Sequence, residues 1–114
     1  MNIVTLIGNL ATEVELKEVA PDKKVANFLL AVDRAGTDGA DFVSVSAWDR
    51  QAELCAEYLS KGRRVAVDGR LHSHEWEEQG KRRLKLEVVA RRVEFLSGPR
   101  EEQQLAEVIP LVAS

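Results

Sequence analysis

The sequence predicts a small all-β domain that carries one α-helix. Three observations predict it. Between residues 3 and 95 most apolar runs are strand-length or alternate with polar residues at period two, the strand signature. Only one stretch, just after Trp48, switches to helical spacing. Clusters such as Pro21-Asp22 and Gly36-Thr37-Asp38-Gly39 punctuate the runs as turns or loops.

The elements follow in order. Residues 3–10 form an apolar-rich first strand, interrupted by Gly8-Asn9. In residues 25–33, Ala26, Phe28, Leu30 and Val32 share one face and Val25, Asn27, Leu29 and Ala31 the other. Both faces are mostly apolar, so this strand is expected to be buried on both sides. Residues 42–48 alternate again, with Val43, Val45 and Ala47 as the core face. The helix follows: Asp49 is its expected N-cap, Leu54, Cys55, Tyr58 and Leu59 its apolar stripe, Lys61 its last turn and Gly62 its C′ residue. Next, Val65, Val67, Gly69 and Leu71 alternate with Arg64, Ala66, Asp68 and Arg70. A long hairpin turns near Glu78-Gln79-Gly80-Lys81. Its return strand, Arg82 to Ala90, sets Leu84, Leu86 and Val88 against Arg83, Lys85 and Glu87; Val93 and Phe95 close the domain. Three strands, a helix, then two or more strands is the pattern of a five-stranded OB-fold Greek-key barrel. The helix lies between strands 3 and 4, and the long β-hairpin between strands 4 and 5. A generic small α+β domain is the alternative.

The chain's 114 residues suit one domain, since domains commonly run to about 100–150 residues. The composition shifts after Phe95-Leu96, where Ser97-Gly98-Pro99 breaks the pattern. Residues 1–96 carry a net charge of −1 and the last 18 residues −2. We therefore expect a folded domain over 1–96 and a short, disordered acidic tail over 97–114. With a net charge of −3 overall, any nucleic-acid binding must use a local patch. The single cysteine excludes an internal disulfide framework and fits a reducing compartment. No apolar stretch approaches the ~20 residues needed to span a membrane, and no secretory signal is visible. A cytoplasmic protein is expected.

Chemistry-bearing residues are few. Phe42, Ser44, Ser46 and Trp48 share the face of their strand opposite the aliphatic one, the face water should see. Small serines between flat rings leave the ring faces open, and a nucleobase stacked on such a ring gains roughly 1–3 kcal/mol. A second layer, a loop or a subunit covering this face is the competing reading. Trp76 sits on the hairpin arm with His72 and His74; it either stacks on a base or packs on another subunit. Cations surround these aromatics: Arg34 and Arg50 beside the strand, and Arg63-Arg64, Arg70, Lys81-Arg82-Arg83, Lys85 and Arg91-Arg92 after the helix. Cations for phosphates and rings for bases are what a single strand of nucleic acid requires. A merely solvated surface is the alternative, since 19 carboxylates balance the 16 cations. His72-Ser73-His74 lacks an evident third metal ligand, and Cys55 belongs to the helix's apolar side. No phosphate-binding glycine loop, H-E-x-x-H or G-x-S-x-G motif is present. No metal, cofactor or enzymatic activity is expected.

Several stretches together resemble the bacterial single-stranded-DNA-binding proteins of the OB-fold type. They are Asn2–Leu10, Val25–Val32, Asp41–Trp48, Ala52–Gly62, Val65–Leu71, Glu87–Ala90 and Val93–Leu96. The resemblance runs from Met1 to about Leu96 and lies in the order and spacing of these segments. It implies an OB-fold, sequence-tolerant binding without catalysis, and a homotetramer as the usual assembly. The family's base-stacking positions fall on Phe42, Trp48 and Trp76. Its phosphate contacts imply a role for Arg34, Arg50 and Arg70; the wider basic set adds Arg64, Arg82, Arg83 and Lys85. A fourth family aromatic is absent from the loop at Ala35 to Asp38. Ile3 replaces a common lysine, and the usually basic hairpin arm reads His72-Ser73-His74-Glu75-Trp76-Glu77-Glu78. Of the family's long tail with its partner-recruiting tip, only Glu107-Val108-Ile109-Pro110-Leu111 is similar here, so recruitment of replication and repair proteins is not expected. The short tail suggests a reduced or specialised member; a truncated chain is the alternative.

The expectation is thus a cytoplasmic, nucleoid-associated protein that coats single-stranded DNA during replication, recombination and repair. A primosome-type OB dimer in replication restart and an OB protein-interaction module are the alternatives.

Overall fold

A computed structural model of the protein describes residues 1–96; the tail expected over 97–114 lies outside them. In chain order the elements are β1 (Val4–Leu10), β2 (Glu15–Ala20), β3 (Lys23–Asp33), β4 (Ala40–Trp48), α1 (Asp49–Tyr58), β5 (Arg64–Glu78) and β6 (Lys81–Phe95). Five strands form a ring, β1–β5–β6–β4–β3, closed where Asn9 and Leu10 of β1 pair with Ala31 and Leu30 of β3. All pairings are antiparallel except β4 with β6, joined in parallel at Val45–Val88 and Ser46–Val89.

Closure depends on β1 changing partners. Its residues 4–9 pair with β5, and its last two also reach β3. At the crossing, a Cβ on Gly8 would lie 2.3 Å from the Ala31 carbonyl oxygen, so only glycine lets the backbones approach this closely. β2 then continues along the β3 edge that β1 has left, from Glu15–Asn27 to Ala20–Lys23. Periodicity does not reveal this strand. All six of its residues are exposed, so no buried face writes a hydrophobic period.

The interior is filled by Leu10, Ala26, Phe28, Leu30, Val45, Ala47, Val65, Val67, Val88 and Ala90, with Ala52 and Cys55 from the helix and Leu59 just after it packed against them. β3 corrects one expectation. Ala26, Phe28 and Leu30 are buried, and so is Val25 on the other face, but Asn27, Leu29 and Ala31 are only half-buried, because they lie on the barrel's outer wall.

The helix also differs at both ends. Asp49 does not cap it: Trp48 holds the N-cap position with no side-chain bond. Asp49 is instead the first helical residue, and its Oδ1 accepts from the Lys24 backbone N–H at 3.3 Å, tying α1 to β3. The helix stops at Tyr58, with Leu59 extended as C-cap. Gly62 therefore lies beyond it, in a turn where its N–H donates to the Leu10 carbonyl at 2.8 Å.

β5 and β6 pair from Val65–Phe95 to Glu78–Lys81. Gln79 and Gly80 connect them with φ of 51° and 76°, the two positive values a tight type I′ turn requires. Between Asp68 and Gly69 the register slips by one, leaving Arg91 of β6 unpaired in a bulge. Gln51 of α1 satisfies that bulge: its Nε2 donates to the Arg91 carbonyl and its Oε1 accepts from Val93 N–H at 2.8 Å. Beyond the barrel the two strands project as an arm. Its leucine face no longer meets a core, and Leu84 and Leu86 stand 62% and 55% exposed.

Candidate nucleic-acid interface

Register assembles one continuous outer face. Arg70 of β5 lies opposite Val89 of β6, Val89 opposite Ser46 of β4, and Ser46 opposite Asn27 of β3. Alternate residues share a face. The same surface therefore carries Phe42, Ser44, Ser46 and Trp48 on β4. It continues with His72, His74 and Trp76 on β5, and Arg83, Lys85 and Glu87 on β6.

The three aromatics meet on this face. Phe42 is 62%, Trp48 38% and Trp76 44% exposed. Phe42 and Trp48 are six residues apart on one strand, about 20 Å at the usual rise per residue. Trp76 lies across from Arg83 on the arm. Tyr58 faces elsewhere, with its ring 6.2 Å from that of Phe95. Ser46 departs from expectation: it is buried rather than facing water, and its hydroxyl has no partner. β4 is paired on both sides here, so this short side chain sits low between the strands that flank it.

The cations divide into two groups. Among the described residues Arg50, Arg70 and Lys85 form no ion pair. Arg70 and Lys85 stand on the aromatic face, and Arg50 follows Trp48 by two residues. The other four expected phosphate contacts are engaged. Arg34 bonds Asp41 at 2.9 Å, Arg83 approaches Glu78 at 3.6 Å, and Arg82 bonds Glu75 at 3.0 Å. Arg82 pairs across the ladder with Glu77, so alternation sets it on the strand face opposite to that of Trp76. Arg64 shares the strand face of Arg70 by the same alternation. It lies six residues along β5 from Arg70, with Nη1 donating to Asn9 Oδ1 at 3.2 Å.

The sequence singled out His72 and His74 but not Glu87, which joins them in one polar cluster. His74 Nε2 donates to Glu87 Oε1 at 2.6 Å, and Glu87 lies directly opposite His72. The two imidazoles meet edge to face with centroids 4.7 Å apart. Glu87 is a carboxylate in the middle of an otherwise basic and aromatic strip; counting outward from the Gln79-Gly80 turn would have located it. Among the described residues no three such side chains are placed to hold a metal ion. Cys55 is buried in the core, which pushes its thiol up to about 11 and keeps it protonated at neutral pH. An open aromatic strip edged by unpaired cations suits a flexible polyanion with flat bases.

Comparison with known proteins points the same way. The model of the Single-strand binding protein family matches residues 1–96. The Single-stranded DNA-binding protein of Clostridium tetani is 43% identical over 102 residues, covering 84% of this chain and 70% of that protein. Single-stranded DNA-binding protein A of Bacillus subtilis is 41% identical over 102 residues, covering 84% of this chain and 59% of its own length. That of Treponema pallidum is 35% identical over 102 residues, again 84% of this chain and 58% of the relative. The chain thus spans less than two thirds of the length of some of these relatives.

Proposed function

The chain belongs to the single-strand binding protein family, and on that premise we propose that it binds single-stranded DNA without sequence specificity. The observation that carries this reading is the shared exposure of Phe42, Trp48 and Trp76 on one sheet face with Arg70 and Lys85. Bases stack on the rings, and every base offers a π-face, so the contact tolerates any sequence. Arg50, Arg70 and Lys85 neutralise phosphates directly. Arg34 and Arg83 do so by exchanging a carboxylate partner for a phosphate; Arg64 and Arg82 stand apart and contribute least. No step is catalytic. The role is to coat and protect exposed strands during replication, recombination and repair, in the cytoplasm at the nucleoid.

The assembly we propose is a homotetramer. Over Val4–Gly8, β1 is paired on one edge only; Ile7 within it and Ile3 just before it are 52% and 62% exposed. An unpaired apolar edge is a template for a second copy of the same strand. Several copies would give a bound strand a longer surface than one barrel offers. The DNA-binding domain is residues 1–96.

The test is anisotropy of labelled oligo-dT, with duplex DNA as control, over a range of salt. We expect tight binding of oligo-dT, weak binding of duplex, and an affinity that falls linearly with salt on a log–log plot. Equal binding of both would overturn the stacking reading. Light scattering of wild type and Ile7→Lys reports the assembly: four subunits in the first, fewer in the second. A monomeric wild type would contradict the tetramer.

A further inference from the structure

We propose that His72 and His74 are DNA-contacting residues whose contribution is switched on by protonation, with Glu87 as the counter-charge that silences them when neutral. The proposal rests on the single-stranded-DNA reading above and adds to it a proton-coupled step.

The geometry is specific. His72 and His74 project from β5 between Arg70 and Trp76, on the path from the barrel wall to the arm's tryptophan. His74 donates its Nε2 hydrogen to Glu87 Oε1, and the Glu87 side chain is only 14% exposed. A neutral His74 held this way turns a lone pair, on Nδ1, toward its other side. A phosphate oxygen cannot bond to that lone pair. Glu87 adds a negative charge at the same point. In the neutral state the centre of the strip therefore weakens the attraction that Arg70, one step before the pair, and Lys85, directly opposite His74, exert on a backbone.

Protonation reverses each element. Nδ1 of His74 becomes a donor, and its charge offsets Glu87. His72, opposite Glu87, gains a charge aimed at the same strip. The groups facing the pair are Arg70 on its own strand, and Glu87, Lys85 and Arg83 on β6; Ser44 and Ser46 on β4 carry no charge. Glu13 and Glu15 line the groove that Lys85 enters and partly offset that lysine. Histidine is the residue whose charge changes between pH 5 and 8. Phosphate favours the charged form, so affinity rises as pH falls, and by linkage DNA binding takes up protons.

The experiment titrates the full chain with unlabelled oligo-dT by tryptophan fluorescence at pH 5.5, 6.5, 7.5 and 8.5. Ionic strength is varied at each pH. Each imidazole that gains a phosphate contact should steepen the log–log salt slope by about 0.7 and raise affinity about fivefold at 0.1 M salt. In His72→Gln/His74→Gln the rise in affinity from pH 8.5 to 5.5 should vanish. Glu87→Gln should bind more tightly than wild type at pH 8.5. Calorimetry at pH 6.5 in buffers of different ionisation enthalpy should show net proton uptake for wild type and none for the double variant. A double variant that keeps the wild-type pH profile overturns the proposal, as does a wild type whose affinity ignores pH. A wild type that binds no oligo-dT at any pH overturns the single-stranded-DNA reading itself, a separate and recognisable result.

Discussion

The barrel wall and the β5–β6 arm carry the same kinds of side chain on different foundations. On the wall, Phe42 and Trp48 alternate with Val43, Val45 and Ala47, so the rings are anchored by a strand whose other face fills the core. On the arm, Trp76 sits on a two-stranded ribbon whose reverse face carries Leu84 and Leu86 in the open. Both regions alternate in sequence; only one has an interior behind it. The charges do not divide the same way. Among the described residues Arg70 at the wall and Lys85 on the arm form no ion pair, whereas Arg34 at the wall is held by Asp41, and Arg82 and Arg83 on the arm by Glu75 and Glu78. The foundations separate wall from arm; the charges do not.

The most severe test of this contrast is in packing. Leu30→Ala removes a fully buried wall residue and should cost about 2–5 kcal/mol of stability, whereas Leu86→Ala on the arm should stay within about 0.5 kcal/mol. Urea unfolding of both variants measures the difference. Next come the stacking residues. Trp48→Ala and Trp76→Ala should each weaken oligo-dT binding by roughly 1–3 kcal/mol, while Trp76→Ala leaves the unfolding curve unmoved because its ring has no core to lose. Gln51→Ala strands the Arg91 carbonyl and Val93 N–H of the bulge where the arm joins the wall; about 1–3 kcal/mol of stability should be lost in the same urea assay. The smallest effect concerns charge. Arg70→Gln should flatten the salt slope by about 0.7, the share of one phosphate contact, and Arg82→Gln should change it far less.

Much of this was legible in the sequence because alternation reports burial. The runs at 25–33, 42–48 and 65–71 became barrel strands, and the split between Phe42/Trp48 and Val43/Val45/Ala47 located the platform. What alternation cannot report is the extent of the core. It treats Leu84, Leu86 and Val88 alike, although only Val88 reaches the interior. It also misses β2, where Leu16 and Val19 are exposed on a strand that exists because β3 offers a free edge. The helix cap escaped for a related reason. Asp49 looks like an N-cap locally, but the tertiary fold supplies a better partner in Lys24 N–H. In sequence Glu87 is one charge on a polar face; its meeting with His74 depends on cross-strand register.

Base stacking on the two tryptophans is the contact on which the rest of the interface depends. They are the only tryptophans in the chain, so intrinsic fluorescence reports both. Titration with oligo-dT at low salt should quench strongly in wild type, partially in Trp48→Phe and Trp76→Phe, and little with duplex DNA. Unchanged emission at saturating oligo-dT would place both rings away from the bases and contradict the stacking interface.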